Sequence, residues 1–403
     1  MDRKPNILII INRLVIGGQA IDTIPLAWYL QEKFTVQVLY GEKENDEEEA
    51  LFLLDLYPGL QIKKLPVLQR SISFSKDLAA YRAIKNILKK NKFAVVHTHG
   101  FKSGLLGRLA ARAMRVPCIV HTFHGHLFHS YYSRFISTLI VYLERMMGRI
   151  TNKIITISPQ QLKEISGKFS IVPASKVFMI RLGIDEKHFF RNVSENQNYF
   201  KEKYILKKEE IHIGIIGRIV QIKNFALFVD VVEKVLVAYS SQVKFYVVGD
   251  GSLAGHVQEI LASKNITFST PGNTIEDAPV IFTSWVPDIA TVIQALDIII
   301  LTSYNEGTPM SLIEAQLCGK PVVATDVGGV SDTFVADKTG FLIPPGDTDM
   351  FAKKLILLME NENLRMEMGN AAVQFATENF SKKVEVQKVT ELYMECLQNK
   401  NWS

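Results

Sequence analysis

The sequence predicts an α/β protein made of two doubly wound domains, each with a parallel sheet covered by helices. Apolar runs of strand length alternate with longer segments of helical periodicity, which is typical of β-α-β units. A polar stretch at residues 186–210 interrupts this alternation, which then restarts with IHIGIIG. We therefore expect an interdomain connection at 186–210 and a second sheet after it. A chain of 403 residues is long enough for two such domains.

The predicted elements follow from these runs. The strands of the first series are PNILIIIN, TVQVLY, FAVVHTH, CIVHTF, KIITIS and KVFMIR, and those of the second are IHIGIIG, KFYVVGD, DIIIL and PVVAT. Helical periodicity marks Asp77–Lys90 and Lys102–Met114. We predict an N-terminal domain at 1–190, a C-terminal domain at 191–380 and a C-terminal helix at 381–403 that packs back on the N-terminal domain. The segment Asn265–Thr283 is richer in turn residues than a strand connection needs.

The number of cysteines and the length of the apolar runs indicate the cellular compartment in which the protein works. Three widely spaced cysteines, Cys118, Cys318 and Cys396, indicate neither a disulfide framework nor a metal knuckle and favour a reducing environment. Asn12 and Arg13 cut the first apolar run well short of a signal peptide, and no run approaches 18 apolar residues. We expect a cytoplasmic protein, peripheral at the inner face of the cell membrane.

The charge is distributed unevenly along the chain. Residues 1–190 carry 27 Lys and Arg against 15 Asp and Glu, whereas the remainder carries 19 against 26. Within 70–181, 19 basic residues face only three acidic ones, and they interleave with apolar and aromatic residues. The pattern is typical either of a solvated basic face or of a surface that meets an anionic membrane. No readout motif supports binding to nucleic acid.

The stretch SYNEGTPMSLIEAQ at 303–316 carries two carboxylates, Glu306 and Glu314. It follows the predicted strand DIIIL, and Thr308 with Pro309 predicts a helix start with Thr308 as its N-cap. The free N–H groups of a helix start favour an anion, while carboxylates beside it suit sugar hydroxyls. The combination indicates a nucleotide-sugar; the alternative is two surface carboxylates near a helix cap.

Two further loops carry groups suited to phosphate. In GRIVQIKN, Arg218 and Lys223 follow a strand with no acidic residue nearby, which suits a diphosphate leaving group. Gly17 and Gly18 follow the first strand and allow close approach of backbone N–H groups to phosphate. They do not form G-x-G-x-x-G, so a nicotinamide cofactor is not supported.

These residues resemble the retaining glycosyltransferases of family four, which have the GT-B architecture of two facing Rossmann-like domains with a central cleft. The resemblance covers almost the whole chain and is densest in GRIVQIKN and in 305–347, NEGTPMSLIEAQLCGKPVVATDVGGVSDTFVADKTGFLIPPGD. HTHGFKSGLLGRLAAR and HTFHGHLF are similar to members acting on lipid-linked glycans in bacterial envelope synthesis. The resemblance implies a UDP-sugar donor, a glycan or polyprenyl-linked acceptor, and transfer of a hexose or N-acetylhexosamine.

The resemblance also implies roles for individual residues. Arg218 and Lys223 would hold the donor diphosphate, Glu306 the donor sugar and Glu314 the ribose. His124 would lie near the transferred sugar, and Trp285–Val286 near the uracil. The remaining implied contacts are Gly17 and Gly18 at the diphosphate, the backbone of Gly307, Thr308, Pro309 and Met310 around the sugar, and His99 and Lys102 on the acceptor side. Asn224 stands where the family often has Gly, and Thr308-Pro309 where it often has Phe-Gly.

No Asp-x-Asp is placed to hold a metal, so we expect metal-independent transfer with no cofactor. Retention follows from the resemblance and favours front-face displacement, in which the departing phosphate oxygen takes the acceptor proton. Six histidines between His97 and His129 suggest a metal site as an alternative, but no carboxylate or cysteine cluster accompanies them. Two other functions stay open, namely a GT-B sugar-nucleotide epimerase and a non-catalytic, membrane-associated UDP-sugar binder.

Overall fold

The chain divides into two compact units in the computed structural model. Unit 1 comprises residues 1–185 and 380–403, and unit 2 comprises residues 186–379. The predicted boundaries after residues 190 and 380 fall close to these divisions. The structure describes residues 4–44, 47–71, 73–124, 134–190, 199–204, 207, 209–239, 242–275, 277–286 and 288–398.

Unit 1 contains a seven-stranded parallel sheet in the order β3-β2-β1-β4-β5-β6-β7. Six of its strands were predicted; the seventh, β3, is a polar edge strand. The strands are β1 Asn6–Arg13, β2 Thr35–Gly41, β3 Gln61–Leu65, β4 Val95–His99, β5 Cys118–Phe123, β6 Lys153–Thr156 and β7 Val177–Met179.

The helices of unit 1 include the two that were predicted, with bounds shifted by a few residues. They are α1 Gly18–Leu30, α2 Phe52–Leu56, α3 Phe74–Lys90, α4 Phe101–Ala113, α5 Arg134–Ile150 and α6 Pro159–Lys163, followed by a π-helical turn at Glu164–Lys168 and a 3₁₀ turn at Ala174–Lys176. A last helix, which we call α15, spans Lys382–Gln398 and belongs to this unit.

The first strand shows why this sheet is buried on both faces. Ile7, Ile9 and Ile11 pack into the core on one face, beside residues of α1 and α15. Leu8 and Ile10 pack into a separate core on the other face, beside α3 and α4. Alternate side chains of a strand point to opposite faces, so a continuous apolar run fits a parallel sheet with helices on both sides.

One cysteine prediction is corrected. The structure pairs Cys118 of β5 with Cys396 of α15 as a disulfide, with Cα atoms 6.0 Å apart. The two residues are separated by 278 positions, so their proximity depends on the return of the chain to unit 1 and is not visible in cysteine spacing. Cys318 remains a free thiol.

Unit 2 also has a seven-stranded parallel sheet, in the order β10-β11-β9-β8-β12-β13-β14. The turn-rich segment Asn265–Thr283 supplies the edge strand β10 and most of β11. The strands are β8 Ile211–Ile216, β9 Val243–Val248, β10 Phe268–Ser269, β11 Val280–Ser284, β12 Ile298–Leu301, β13 Val322–Thr325 and β14 Gly340–Ile343.

The helices of unit 2 cover both faces of its sheet. They are α7 Glu186–Phe189, α8 Tyr199–Lys203, α9 Phe225–Tyr239, α10 Ala254–Ser263, α11 Ile289–Ala295, α12 Met310–Leu317, α13 Thr348–Glu360 and α14 Glu362–Asn379, with 3₁₀ turns at Gln221–Lys223 and Val330–Asp332. The predicted connection at 186–210 contains α7 and α8, and residues 191–198 lie outside the described part. None of the helices that the structure describes has the length and apolar character needed to cross a bilayer.

A buried charge cluster fixes α15 to unit 1. The Lys382 ammonium donates to Asp22 Oδ1 at 2.7 Å and to Glu385 Oε2 at 2.6 Å, and all three side chains are at most 4% exposed. Glu385 also accepts from the backbone N–H of Gly183, whose missing side chain leaves room for the Lys382 backbone. Burial opposes the charge of Lys382, but the two carboxyl groups outweigh it and raise its pKa.

Replacing Lys382 by Met should destabilise unit 1 by about 3–5 kcal/mol at pH 8, because it leaves two buried carboxyl groups without their shared cation. Hydrogen–deuterium exchange of α1 and α15 peptides in increasing denaturant measures the loss locally. Lys383→Met is the matched control, since Lys383 is exposed on the same helical turn. Equal protection in the two variants would contradict a stabilising role for the cluster.

Candidate active site

Two loops at the carboxyl ends of neighbouring strands form the centre of the candidate site in unit 2. The loop after β8 carries Arg218 and Lys223, and the loop after β12 carries Glu306. The strand order of the sheet reverses between β8 and β12, which is where open parallel sheets bind ligands. Tyr304 N donates to Ile222 O at 2.8 Å, so backbone contact joins the two loops directly.

The Lys223 ammonium meets the Glu306 carboxylate across this junction. The Nζ–Oε1 distance is 2.7 Å, and the two side chains are 17% and 15% exposed. Ser303 Oγ donates to the same Oε1 at 2.6 Å. The structure thus brings together two of the residues that the sequence singled out, 83 positions apart, and adds Ser303, which sequence reasoning missed.

Backbone conformation accounts for Asn224 in the loop after β8 and for Gly328 in the loop after β13. Asn224 ends the 3₁₀ turn at φ +50°, a left-handed conformation that Asn tolerates, so it can stand where the family often has Gly. Gly328 has φ +55°, and a Cβ there would lie 2.1 Å from the Glu306 carbonyl oxygen. Gly329 N donates to that oxygen at 2.9 Å. Gly328 and Gly329 therefore hold the Glu306 backbone in place.

The predicted helix cap is wrong in detail. Helix α12 begins at Met310 with Pro309 in the N-cap position, and no side chain caps it. Thr308 Oγ1 is buried and has no hydrogen-bond partner within the described chain. Pro309 takes an extended conformation that ends the loop, so the helix starts one residue later than predicted. Gly307 and Thr308 remain partly exposed in the loop between Glu306 and α12.

Arg218 directly follows Gly217 at the end of β8, and its side chain is exposed. Gly217 has φ +139°, and a Cβ there would lie 3.3 Å from Lys223 Cε. The glycine thus lets the loop close over the lysine. Trp285 and Val286 follow the end of β11 and are partly buried, which places them after a third strand of the same sheet.

Glu314 lies inside α12 and is 7% exposed. Its carboxyl group makes no hydrogen bond or ion pair with the residues that the structure describes. Burial raises the pKa of Glu314 to about 7. The two carboxylates are therefore not surface groups near a helix cap, as the alternative proposed. A buried acid without a protein partner is costly to ionise and is a common feature of binding sites.

In unit 1, the predicted glycines lie at the start of α1. Gly17 is the N-cap residue and Gly18 the first helical residue, in the segment that follows β1. A Cβ on Gly17 would meet nothing within 4 Å, so the space in front of the helix start is open. The N–H groups of this first turn are suited to an anion.

His99 and His124 contact each other at the ends of β4 and β5. His99 Nδ1 lies 2.7 Å from His124 Nε2, and the ring centroids are 5.0 Å apart. Burial lowers the pKa of both imidazoles, so both rings are neutral near pH 7. A catalytic role for His124 and an acceptor role for His99 stay predictions.

Lys102 has a different environment from the one its acceptor-side role suggests. The ammonium forms an ion pair with Asp77 and donates to the Ser71 carbonyl, and the residue is 8% exposed. Its partner Asp77 lies 25 residues earlier, on α3. The positions of the basic residues in the sequence do not reveal this ion pair. The structure thus gives Lys102 a role in joining α3 to α4.

Metal binding was the alternative for the histidine-rich segment. No group of three His, Cys, Asp or Glu side chains converges as a metal site within the described ranges. His126 and His129 lie outside those ranges. His97 and His121 are buried and bond to neighbouring hydroxyls: His97 to Tyr393 and Thr122, and His121 to Thr98.

The raised pKa of Glu314 has a measurable consequence for stability. The folded state keeps the proton up to about pH 7, whereas an unfolded glutamate loses it near 4.5. Stability therefore falls as pH rises between these values, by about 3 kcal/mol in total. Glu314→Gln should remove this fall. The thermal midpoint of the variant, measured relative to that of the wild type, should therefore rise from pH 5 to pH 8. Glu367→Gln, at an exposed position of α14, is the control; an identical pH dependence in all three proteins would contradict the assignment.

Two family models match the chain, one on each side of the interdomain connection. The model of Glycosyltransferase Family 4 matches residues 16–188, and that of Glycosyl transferases group 1 matches residues 210–361. A UDP-Gal:α-D-GlcNAc-diphosphoundecaprenol α-1,3-galactosyltransferase of Escherichia coli is 30% identical over 341 residues, covering 83% of this chain and 84% of that protein. The capsular polysaccharide biosynthesis glycosyltransferase CapM of Staphylococcus aureus is 25% identical, covering 80% of this chain and 83% of the relative.

Solved structures agree on the fold. The Anabaena protein HepE in complex with UDP and glucose superimposes with a TM-score of 0.80 at 17% identity, over 97% of this chain and 100% of the other. A glycosyltransferase from Rickettsia africae gives 0.77 at 21% identity, over 98% and 99%. The resemblance found in the sequence is confirmed: this chain belongs to the glycosyltransferases of family four and has the α/β GT-B fold with two Rossmann-like domains.

Proposed function

We propose that this enzyme transfers a hexose or N-acetylhexosamine from a UDP-sugar to a glycan or lipid-linked acceptor in envelope polysaccharide synthesis. The contact between Lys223, Glu306 and Ser303 at the strand reversal of unit 2 carries the proposal. The named activity of the Escherichia coli relative, which uses UDP-Gal and a diphosphoundecaprenol-linked acceptor, supports the choice of donor and acceptor class. The name of CapM supports the polysaccharide context.

The Lys223–Glu306 pair suits a site that switches partners when donor binds. Without donor, the ammonium and the carboxylate neutralise each other at 2.7 Å. A diphosphate competes for the ammonium and adds the guanidinium of Arg218 as a second cation. The Glu306 carboxylate then gains free lone pairs for hydroxyls of the donor sugar. The partly buried position makes both exchanges stronger than they would be in water.

We infer a retaining transfer in which these cations stabilise the leaving group. The bond from the anomeric carbon to the diphosphate oxygen breaks, and the acceptor hydroxyl bonds to the same face of that carbon. The departing phosphate oxygen takes the acceptor proton. Arg218 and Lys223 stabilise the charge that develops on the diphosphate, which is the task a metal performs in other transferases. Gly17, Gly18 and His124 keep the roles that the family resemblance implies.

Glu314 is assigned to the ribose. Its carboxyl group is buried without a partner among the residues that the structure describes, and the two ribose hydroxyls are donors of suitable geometry for one carboxylate. Binding of UDP would supply the hydrogen bonds that offset the cost of ionising Glu314. The identity of the hexose depends on groups around Gly307–Met310, where Thr308 contributes a hydroxyl without a partner in the described chain.

We also propose that unit 1 associates with the inner face of the cell membrane from the cytoplasm. Helix α5 turns Glu144, Met147 and Ile140 inward and exposes Leu139, Tyr142 and Met146 along one stripe. Two of the three acidic residues in 70–181 are used inside the unit: Glu144 pairs with Arg108, and Asp77 pairs with Lys102. Each pair uses one basic residue as well, so the rest of this region still has 17 basic residues against one acidic residue. This excess of positive charge suits anionic lipid headgroups.

The donor assignment is tested by hydrolysis of UDP-Glc, UDP-Gal, UDP-GlcNAc and UDP-GalNAc. The wild type should hydrolyse at least one of them slowly. Glu306→Gln should lower that rate by about 10²-fold or more, because it removes the charge next to the reacting sugar, while UDP affinity stays within about threefold. Loss of UDP binding in this variant would instead place Glu306 at the nucleotide and undo its proposed role.

Lys223→Ala should weaken UDP and UDP-sugar to a similar extent, by about 10- to 100-fold, since both carry the diphosphate. Isothermal titration with UDP measures the change. Lys234→Ala is the matched control, because Lys234 lies on the helix that follows, pairs with Asp349 and is 46% exposed. A variant of Lys223 that binds UDP like the wild type would remove the diphosphate contact from the proposal.

Membrane association should depend on both charge and the α5 stripe. Binding to vesicles containing phosphatidylglycerol should decrease as salt rises from about 50 to 500 mM, because screening weakens the attraction. Tyr142→Asp should lower binding at every salt concentration. Val237→Asp serves as control, since Val237 is an exposed apolar residue of unit 2. Binding that is insensitive to salt, or equal on neutral vesicles, would contradict the proposal.

A further inference from the structure

Three buried histidines and one partly buried histidine lie close together in and just after β4 and β5 in unit 1. His97 and His99 belong to β4, His121 belongs to β5, and His124 directly follows β5. His97 uses both ring nitrogens, with Nδ1 2.6 Å from Tyr393 Oη and Nε2 2.7 Å from Thr122 Oγ1. The proposed function gives a chemical role to His124 alone. The contact that His99 makes with it therefore needs its own account.

The His99–His124 contact couples the proton positions of the two rings. Both imidazoles are neutral, so each carries one N–H and one lone pair. In the bond between His99 Nδ1 and His124 Nε2, one nitrogen must donate and the other must accept. His99 Nε2 and His124 Nδ1 are the remaining nitrogens, and both are buried with no partner in the described part of the chain. Fixing the proton on His99 therefore fixes it on His124.

A small cavity next to His99 indicates which way the proton lies. About 10 Å³ of it is open to the centre of a water molecule, which is about the room that one water needs. Its polar lining consists of Asp22, His97, His99, Thr122 and Glu385, and its other walls are apolar. Since both nitrogens of His97 are already bonded, His99 Nε2 is the histidine nitrogen left to face it.

The carboxyl groups in this lining are hydrogen-bond acceptors. Asp22 and Glu385 both accept from Lys382, whose ammonium lies between them, and two carboxyl groups share this one cation. Burial raises the pKa of Glu385 to about 8. Above that pH the Glu385 carboxylate, like Asp22, accepts hydrogen bonds, and a water in the cavity satisfies both groups best by donating its hydrogens to their oxygens. This leaves the lone pair of the water for an N–H of His99. If His99 presented a lone pair instead, the water would have to turn a hydrogen away from a buried carboxyl group.

We infer that His99 is a positioning residue that sets the tautomer of His124. His99 holds its proton on Nε2, directed at the cavity, and accepts the His124 Nε2–H on its Nδ1. This leaves His124 Nδ1 without a proton, as the acceptor for a hydroxyl of the bound sugar or of the acceptor. The role toward substrate depends on the proposed function, whereas the proton positions belong to the free enzyme.

Nitrogen NMR of histidine-labelled wild-type enzyme at about pH 9, where Glu385 is ionised, tests the inference without substrate. His124 Nδ1 should resonate as an unprotonated nitrogen and His124 Nε2 as a protonated one, with His99 protonated on Nε2. Asp22→Asn should disturb the His99 signals first, because it changes the acceptor at the far side of the cavity. A protonated His124 Nδ1 in the wild type would overturn the inference, whatever the variants do.

Two substitutions of His99 separate positioning from packing. The side-chain oxygen of Asn stands near the place of Nδ1, so His99→Asn should keep the acceptor for His124 and retain turnover within about threefold. His99→Leu removes it, so the His124 nitrogens should average between tautomers and UDP-sugar hydrolysis should fall by about tenfold or more. His121→Leu is the control, since His121 is equally buried but hydrogen-bonds to Thr98.

The outcomes distinguish this inference from the proposed function. If the wild type hydrolyses no UDP-sugar but His124 has the expected protonation, the function fails and the tautomer assignment stands. If hydrolysis occurs and His99→Leu retains both the rate and the His124 signals, the positioning role of His99 is wrong. Hydrogen–deuterium exchange of β4 and β5 confirms in each variant that the sheet is intact.

Discussion

The parallel direction of all strands in each sheet is the constraint on which the chemistry of this protein depends. Helices cover both faces of these sheets, so most strand residues are buried and apolar, and His97 and His99 of β4 are among the polar exceptions. The candidate functional side chains lie in the loops after the strands or at the last residues of a strand. Because parallel strands end at the same edge, residues far apart in sequence meet there. Lys223 and Glu306 are the example in unit 2, and His99 and His124 are the example in unit 1.

Some buried polar groups of this protein are paired internally, and others, such as His99 Nε2 of unit 1, have no partner in the described chain. In unit 1, the ammonium of Lys382 joins Asp22 to Glu385, and His97 bonds on both sides. In unit 2, Glu314 is buried with no partner that the described chain provides, and Glu306 relies on a cation that a phosphate would attract. A network of buried polar groups with all hydrogen bonds formed stabilises the fold. Buried groups that lack hydrogen-bond partners can gain them when a ligand binds. The unpaired groups are therefore the ones that we propose for ligand binding.

Much of the fold follows from patterns of apolar residues, and the missed elements share a physical cause. β3 alternates lysines and glutamine with few apolar residues because it is an edge strand, and β10 has only two residues. β14 begins at Gly340, whose Cβ would lie 2.4 Å from the Val322 carbonyl, so a strand appears where the sequence resembles a turn. These three strands are at the edges of their sheets or pack closely through glycine, so they lack the continuous apolar residues that mark a buried strand.

The candidate site was predictable where short motifs fix local geometry, and less so where distant segments meet. The loop Gly217–Asn224 and the loop around Glu306 are self-contained, and a strand followed by charged residues predicts their placement. The partner of Lys102 and the late start of α12 depend on packing and on the backbone of Pro309, which residue spacing does not encode. Ser303 is the intermediate case, since it lies only three residues from Glu306 but has no signature of its own.

The last helix of the chain packs on unit 1 and explains why the histidines of that unit have lowered pKa values. α15 covers the sheet beside β4 and β5 and supplies Tyr393 to His97, Glu385 to the cavity and Cys396 to Cys118. These contacts exclude water from the strand ends, and that loss of solvation lowers the pKa of His97 to about 3 and keeps the neighbouring imidazoles neutral. A neutral imidazole has a defined donor and a defined acceptor, whereas a charged one has two donors. The last helix of the chain therefore determines the hydrogen-bonding character of residues almost 300 positions earlier.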